Sequence, residues 1–185
     1  ASVPLVTRSS VGYRKAVGGI RSKPDEPLPA WRLEYDRLVD SDLEPYSFDI
    51  GMLAGYMLIL EQEFVRKHSV LNLHPALPTG PAGMWQSVIR ELILTGAKES
   101  GVMLHLAIPE VDEGPPVAYC RYPLRDVALE KLRAKLSALP EMLDDNSLDE
   151  SELFAAIRER GLERESPLIV ATLAEFAAGK LRVQG

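Results

Sequence analysis

A single cysteine, Cys120, stands among 185 residues. No disulfide can close within the chain, and a reducing compartment, the cytoplasm, is the expected location. Long apolar runs are also missing. Nothing approaches the roughly 20 residues that span a bilayer, and the start has no charged-then-apolar leader. Basic charge is in short supply, with 21 Lys and Arg against 27 Asp and Glu, a net charge of −6 and a pI near 5.2. That balance gives no field for a nucleic-acid backbone or an anionic membrane, so neither is expected as a partner. Three scattered histidines, one cysteine and no HExxH or CxxC spacing leave no metal site to predict. Phosphate loops of the GxGxxG or Walker type and a GxSxG nucleophile elbow are absent, and Gly18-Gly19 is too little to stand for one. The sequence opens ASVPLVTRSS, without Met and already in a short apolar run, as a fragment or processed chain would.

What the chain does have is apolar residues, 46% of the total, enough for one domain with a full core across 1–185. No internal repeat or low-complexity segment interrupts it. A short strand is expected at Pro4 to Val6, followed by a Gly/Pro-rich loop through Gly12, Gly18, Gly19, Pro24, Pro27 and Pro29, with Arg14 and Lys15 exposed. Trp31, Tyr35, Leu38 and Val39 recur at helical spacing, and Pro45 closes that element. The run at 48–54 reads as a buried parallel strand, 61–68 as a short polar helix, and 70–73 as a strand ending at His74-Pro75. Two prolines and two glycines make 76–83 a loop. Trp85, Val88, Ile89, Leu92 and Ile93 then mark a one-face amphipathic helix.

Strands follow at 101–108 and 116–124, paired as neighbours across a loop at 109–115. The remainder reads as helical. Leu129, Leu132, Leu136 and Leu139 form a stripe, Asp149 with Glu152 makes a capping box, Ser166-Pro167 begins a helix, and Gly161 and Gly179 are stops. Strands alternating with helices predict an α/β fold, a mostly parallel sheet flanked by helices, with ligands beyond the carboxyl ends of the strands.

The chemistry-bearing feature is LNLHPALP at 71–78. Asn72 and His74, two residues apart on a strand, face the same side. Imidazole exchanges protons near neutral pH and an amide can donate to an oxyanion, so the pair suits attack of an amine on an acyl group. A carboxylate is needed as third member. Asp112 is the best placed by its short side chain and its neighbours Gly114, Pro115 and Pro116; Glu110 and Glu113 compete on sequence alone.

Four segments in order, LAGYMLIL (53–60), LNLHPALP (71–78), GVMLHLA (101–107) and PEVDEGPPV (109–117), resemble the successive signatures of the phosphoribosylglycinamide formyltransferase family. The resemblance is strong over 31–124 and extends weakly through 167–169 to 179–181. It implies a formyltransferase-like (Rossmann-like) fold, N-terminally truncated, with a folate-binding and catalytic core at 30–124 and a C-terminal helical part at 125–185.

By the same resemblance Asn72 is the oxyanion-stabilising amide, His74 the proton-transferring imidazole and Asp112 the carboxylate that orients water and assists proton transfer. His105 matches a further histidine near the site. The co-substrate implied is 10-formyltetrahydrofolate, in a pocket formed by Leu53, Met57, Leu58, Ile59, Leu60, Ala107, Ile108, Val111 and Asp112. Leu58 departs from the family's common arginine, and Trp85 stands where a histidine or similar polar residue is usual. No segment fits the family's Gly-Ser-Asn phosphate loop, so about the first sixty or more residues of a full-length member are expected to be missing. That would leave the strand at 48–54 with an open edge, covered by a second copy of the chain (a homodimer) or by a rearranged N-terminus.

The activity implied is formyl transfer to glycinamide ribonucleotide in purine biosynthesis, or to another small-molecule amine. Formyltetrahydrofolate deformylase and a non-catalytic folate-binding or assembly module are the alternatives. Formyl transfer to methionyl-tRNA or an amino sugar is disfavoured by the acidic charge and the match in the last helix.

Overall fold

Among the described residues four strands lie in the order β1 (Gly51–Leu53), β2 (Val70–His74), β3 (Glu99–Leu106) and β4 (Pro116–Pro123). The structure, a computed structural model, describes residues 3–21, 26–138 and 145–182. β1 pairs with β2 in parallel, whereas β2 with β3 and β3 with β4 are antiparallel. The α/β class with flanking helices is as expected, but the described sheet is mixed, with one parallel pair. The loop at 109–115 is too short for a crossover, so β3 and β4 can only form a hairpin.

Helices α4 (Trp85–Leu94), α5 (Val127–Ser137), α6 (Asp145–Asp149) and α7 (Glu152–Ala177) close the main core. Val88, Ile89, Leu92 and Ile93 of α4 pack with Val102, Tyr122, Leu124, Leu129, Leu153, Phe154 and Ile157. Each such side chain withdrawn from water contributes about 1.5–3 kcal/mol. Helix α2 (Ala30–Leu43) follows Pro29, buries Trp31 and Tyr35 as expected, and ends before Pro45. Helix α3 (Gln62–Lys67) is capped by the Glu61 carboxylate, which accepts from the Glu63 amide, and it buries Phe64.

Several local expectations give way. Pro4 to Val6 is exposed and unpaired with any strand, because a strand needs a neighbour and none is there. Ser10–Ala16 is a helix, α1, where a loop was expected; the Ser9 hydroxyl caps it by accepting from the Gly12 amide. The strand within 48–54 shrinks to three residues. Ser151, not Asp149, caps α7 by accepting from the Phe154 amide, while Asp149 instead pairs with Arg90 at 2.5 Å.

The same helix α7 runs unbroken through both Gly161 and Pro167. Gly161 is no stop but a packing contact: a Cβ there would lie 3.3 Å from the Tyr122 hydroxyl. Pro167 and Glu163, one turn apart, are both exposed, so water can solvate the carbonyl that loses its amide partner. Gly179, at φ 69°, does terminate the helix. Leu139 and Pro24 lie outside the described residues.

β1 sits at the edge of the sheet, with β2 as its strand neighbour. Among the described residues, no rearranged N-terminal segment pairs with its free side. Beside it α2, α3 and β1 line an open-sided apolar pocket of about 280 Å³, bounded among others by Phe48, Leu53, Tyr56, Leu60 and Phe64.

Candidate active site

Antiparallel pairing brings Asn72 of β2 directly opposite His105 of β3, and the parallel pairing sets Leu53 level with Asn72. His74, one strand repeat on, shares Asn72's face. A register irregularity between Leu104 and His105 in the β3–β4 ladder, of the kind that re-aims a side chain, lies at the same point. The loop after β3 then folds back sharply. Leu106 N–H donates to the Pro115 carbonyl at 3.0 Å, and Gly114 packs so closely on β3 that a Cβ would lie 1.6 Å from the Leu106 oxygen. Only glycine allows that approach. Asp112 takes a left-handed conformation, φ 61°, in this loop. Asp tolerates that geometry better than most residues, and non-glycine residues so placed gather at functional sites.

The result is a tight polar cluster. Asn72 Nδ2 donates to His105 Nε2 at 3.1 Å and, more weakly, to Asp112 Oδ1 at 3.4 Å. His105 Nδ1–H donates to the Leu106 carbonyl at 3.2 Å, which leaves Nε2 as the acceptor that fixes the Asn72 amide. Burial pushes the His105 pKa below its usual 6.5, against the opposing pull of the Leu106 carbonyl and Asp112, so the ring is held neutral. His74 Nε2–H donates to the Pro81 carbonyl at 2.8 Å, while Nδ1 faces Asp112 Oδ2 at 4.0 Å. The second oxygen of Asp112 also accepts from the Gly83 amide at 3.3 Å. Both rings are almost fully buried, and the Asp112 side chain, at 14% exposure, keeps contact with solvent.

Asn72, His74 and Asp112 thus come together, joined by His105. Glu110 and Glu113 are exposed, so of the three competing carboxylates Asp112 alone turns inward to this cluster. The expected pocket residues are more dispersed. Leu53 and Leu60 line the cavity beside β1, but Met57, Ile59 and Val111 are exposed and Leu58, Ala107 and Ile108 half-buried, none of them on that cavity's wall. Trp85 packs on Phe154, with Arg158 over its ring, and so joins α4 to α7. Among the described residues no three His, Cys, Asp or Glu side chains are grouped to hold a metal ion, and no helix is long and apolar enough to cross a membrane.

Sequence reasoning missed the loop contacts at Pro81 and Gly83 and a buried ion pair, Arg32 with Asp36, on α2. Arg32 Nη2 donates to both Asp36 oxygens, at 2.9 and 3.1 Å, and to the Ile59 carbonyl at 2.7 Å; Asp36 accepts from the Glu61 amide at 2.8 Å. The signal was available, since two charges four apart flank Trp31 and Tyr35 on the face that the apolar spacing assigns to the core. Burial raises the Asp36 pKa, partly offset by Arg32. Neither Arg32 Nη1 nor the Tyr56 hydroxyl, both buried, makes a hydrogen bond of normal geometry.

The mixed sheet thus places an Asn-His-Asp cluster at the carboxyl end of β2. Residues 23–139 match the formyl transferase family, and the chain belongs to that family. Phosphoribosylglycinamide formyltransferase of Escherichia coli (strain K12) is 32% identical over 95 residues, 50% of this chain and 44% of its own length. The Haemophilus influenzae enzyme of the same name is 29% identical over 154 residues, 82% of this chain and 60% of its own. Formyltetrahydrofolate deformylase of Haemophilus influenzae is 31% identical over 86 residues, 45% and 30% respectively. The crystal structure of glycinamide ribonucleotide transformylase 1 from Symbiobacterium toebii shares the fold at TM-score 0.60 and 22% identity, over 96% of this chain and 74% of that one. Less than two thirds of each of these three curated relatives is matched by this chain.

Proposed function

We propose that the chain transfers a formyl group from 10-formyltetrahydrofolate to the amine of glycinamide ribonucleotide in purine biosynthesis, or to a similar small amine. The observation that carries this reading is the convergence of Asn72, His74 and Asp112 at one strand end. The amine nitrogen attacks the formyl carbon, and the carbonyl electrons move to oxygen. Asn72 donates to that oxyanion with the amide hydrogen that Asp112 holds only at 3.4 Å, while His105 retains the other.

With its Nε2–H committed to Pro81, His74 offers Nδ1 to take the proton from the attacking amine, and Asp112 steadies the charge that results. The C–N10 bond then breaks as N10 receives a proton, leaving formyl-amine and tetrahydrofolate. The cavity containing Leu53 and Leu60, level with Asn72, is the apolar surface available to the folate ring. One domain across 1–185, a cytoplasmic location and a homodimer closing the edge of β1 complete the proposal; no metal takes part.

Deformylation is the second reading, favoured by the similarity to a formyltetrahydrofolate deformylase and by an Asp112 that still reaches solvent and can orient water. One assay separates them: the chain is mixed with 10-formyltetrahydrofolate with and without glycinamide ribonucleotide, beside His74→Ala. Loss of the formyl group that needs the nucleotide and vanishes in the variant is the expected result. Formate release without nucleotide would replace transfer by hydrolysis. Folate binding without turnover would leave a non-catalytic folate-binding or assembly module.

A further inference from the structure

Between β2 and α4, residues 75–84 form neither helix nor strand, yet they hold His74 and Asp112 from one side. The Pro81 carbonyl accepts from His74 Nε2–H at 2.8 Å, and the Gly83 amide donates to Asp112 Oδ2 at 3.3 Å. The stretch is seated near both ends. At one, Ala76 is fully buried and the Leu77 side chain fills the space that a Cβ at Gly101 of β3 would need. At the other stands Trp85, the first residue of α4. Its ring lies 5.8 Å from that of Phe154, tilted by 54°, and the Arg158 guanidinium sits over it, 4.9 Å from the centroid. Arg158 is held in turn by Glu165 at 2.7 Å, so this second seat is built wholly on α7.

Helix α4 begins without a side-chain cap: Met84 precedes it, 61% exposed, and makes no hydrogen bond to the first turn. What fixes the start of the helix is the indole in its seat. Apolar burial alone has no direction, whereas a tilted aromatic pair with a cation over the ring holds one orientation. Trp85 stands two residues after Gly83, whose φ of 95° is open to glycine, so a turn of the backbone at Trp85 re-aims the Gly83 N–H. We propose that Trp85, seated on Phe154 and Arg158, is a positioning residue: it sets the loop that presents the Pro81 carbonyl to His74 and the Gly83 amide to Asp112. The kinetic part of the inference rests on the formyl-transfer reading above; the structural part rests on the geometry alone. Trp85 is assigned no contact with the reacting atoms, so its loss acts on kcat through His74 and Asp112 and spares folate binding.

The test uses the 185-residue chain carrying nitrogen-15 histidine, followed by proton NMR. In the wild type the Nε2–H proton of His74, a residue 3% exposed and bonded to Pro81, should give a resonance protected from exchange with water. In Trp85→Leu that resonance should be lost to exchange, while the far-ultraviolet circular dichroism stays that of the folded chain. Turnover should show kcat lowered about 10- to 10²-fold, the size expected of misplaced reacting groups. KM for 10-formyltetrahydrofolate should hold within about twofold. Trp85→Phe, which keeps a ring between Phe154 and Arg158, should restore the resonance and bring kcat to within about threefold of wild type. In an Asp112→Asn background Trp85→Leu should cost clearly less than in the wild type, because residues that act through one contact are not additive. A folded Trp85→Leu that keeps the His74 proton would overturn the proposal, as would a kcat loss equal in both backgrounds or a rise in KM at constant kcat. Should Trp85→Leu not fold, Arg158→Ala, which uncovers the indole from α7 and leaves the loop sequence intact, is read by the same criteria. If the wild-type chain turns over no 10-formyltetrahydrofolate, the transfer reading falls by itself, and the His74 resonance alone decides whether Trp85 positions the loop.

Discussion

Alanine at position 114 would put a methyl carbon 1.6 Å from the Leu106 oxygen, so the loop that carries Asp112 would have to move. Gly114→Ala is therefore expected to destabilise the protein by more than ~1 kcal/mol, a backbone effect of the usual size, and to lower turnover more than its stability loss explains. Urea melts and initial rates on one preparation check both. Asp112→Asn separates geometry from charge. Asn accepts the left-handed backbone equally well, so the variant should fold, at a cost of about 1 kcal/mol for one exchanged hydrogen bond. Its turnover should fall ~10²-fold or more, as for loss of an acid-base partner. Unchanged turnover would remove Asp112 from the mechanism.

His105 supplies a pH dependence. Its folded pKa lies below its usual 6.5, so the unfolded chain takes up the proton first as the pH drops. The stability it contributes is complete above 6.5 and is lost as pH falls through the depressed folded value. The urea midpoint should decline below pH 6.5 in the wild type and decline less in His105→Gln. Parallel curves for the two would acquit this residue.

At the scale of elements, α7 offers two opposite changes. Pro167 sits inside the helix on an exposed turn, and Pro167→Ala restores an amide donor to the Glu163 carbonyl. A gain of about 1–3 kcal/mol is expected from propensity. Ser151→Ala removes the hydroxyl that accepts from the Phe154 amide and should cost about 1 kcal/mol. Thermal melts of the two variants would move in opposite directions; a loss from Pro167→Ala would mean the proline serves the packing of α7.

At the scale of the whole molecule, the open question is what meets β1. Gly51 N–H donates to Ser69 of the segment leading into β2, so the backbone groups of Met52, one residue on, point away from β2. Met52→Pro would remove an outward donor without touching the β1–β2 ladder. If a second copy covers this edge, sedimentation should find a concentration-dependent dimer in the wild type and monomer in the variant. A wild type that stays monomeric at all concentrations would end the dimer proposal.

The sequence by itself determined whatever is written within a few residues. The spacing of Trp31 and Tyr35 made α2, Val88 to Ile93 made α4, and the alternation at 71–74 put Asn72 and His74 on one side of a strand. The short Gly/Pro loop at 109–115 announced the β3–β4 hairpin for the same reason. Tertiary structure decided the rest. It selected Asp112 over Glu110 and Glu113, set His105 against Asn72, ran α7 through Gly161 and Pro167, paired β2 with β3 antiparallel, and joined Arg32 and Asp36 to a backbone more than twenty residues away. Local periodicity reports which face of an element is apolar, but which elements meet, and in which direction, depends on burial and hydrogen bonding between residues that no local pattern connects.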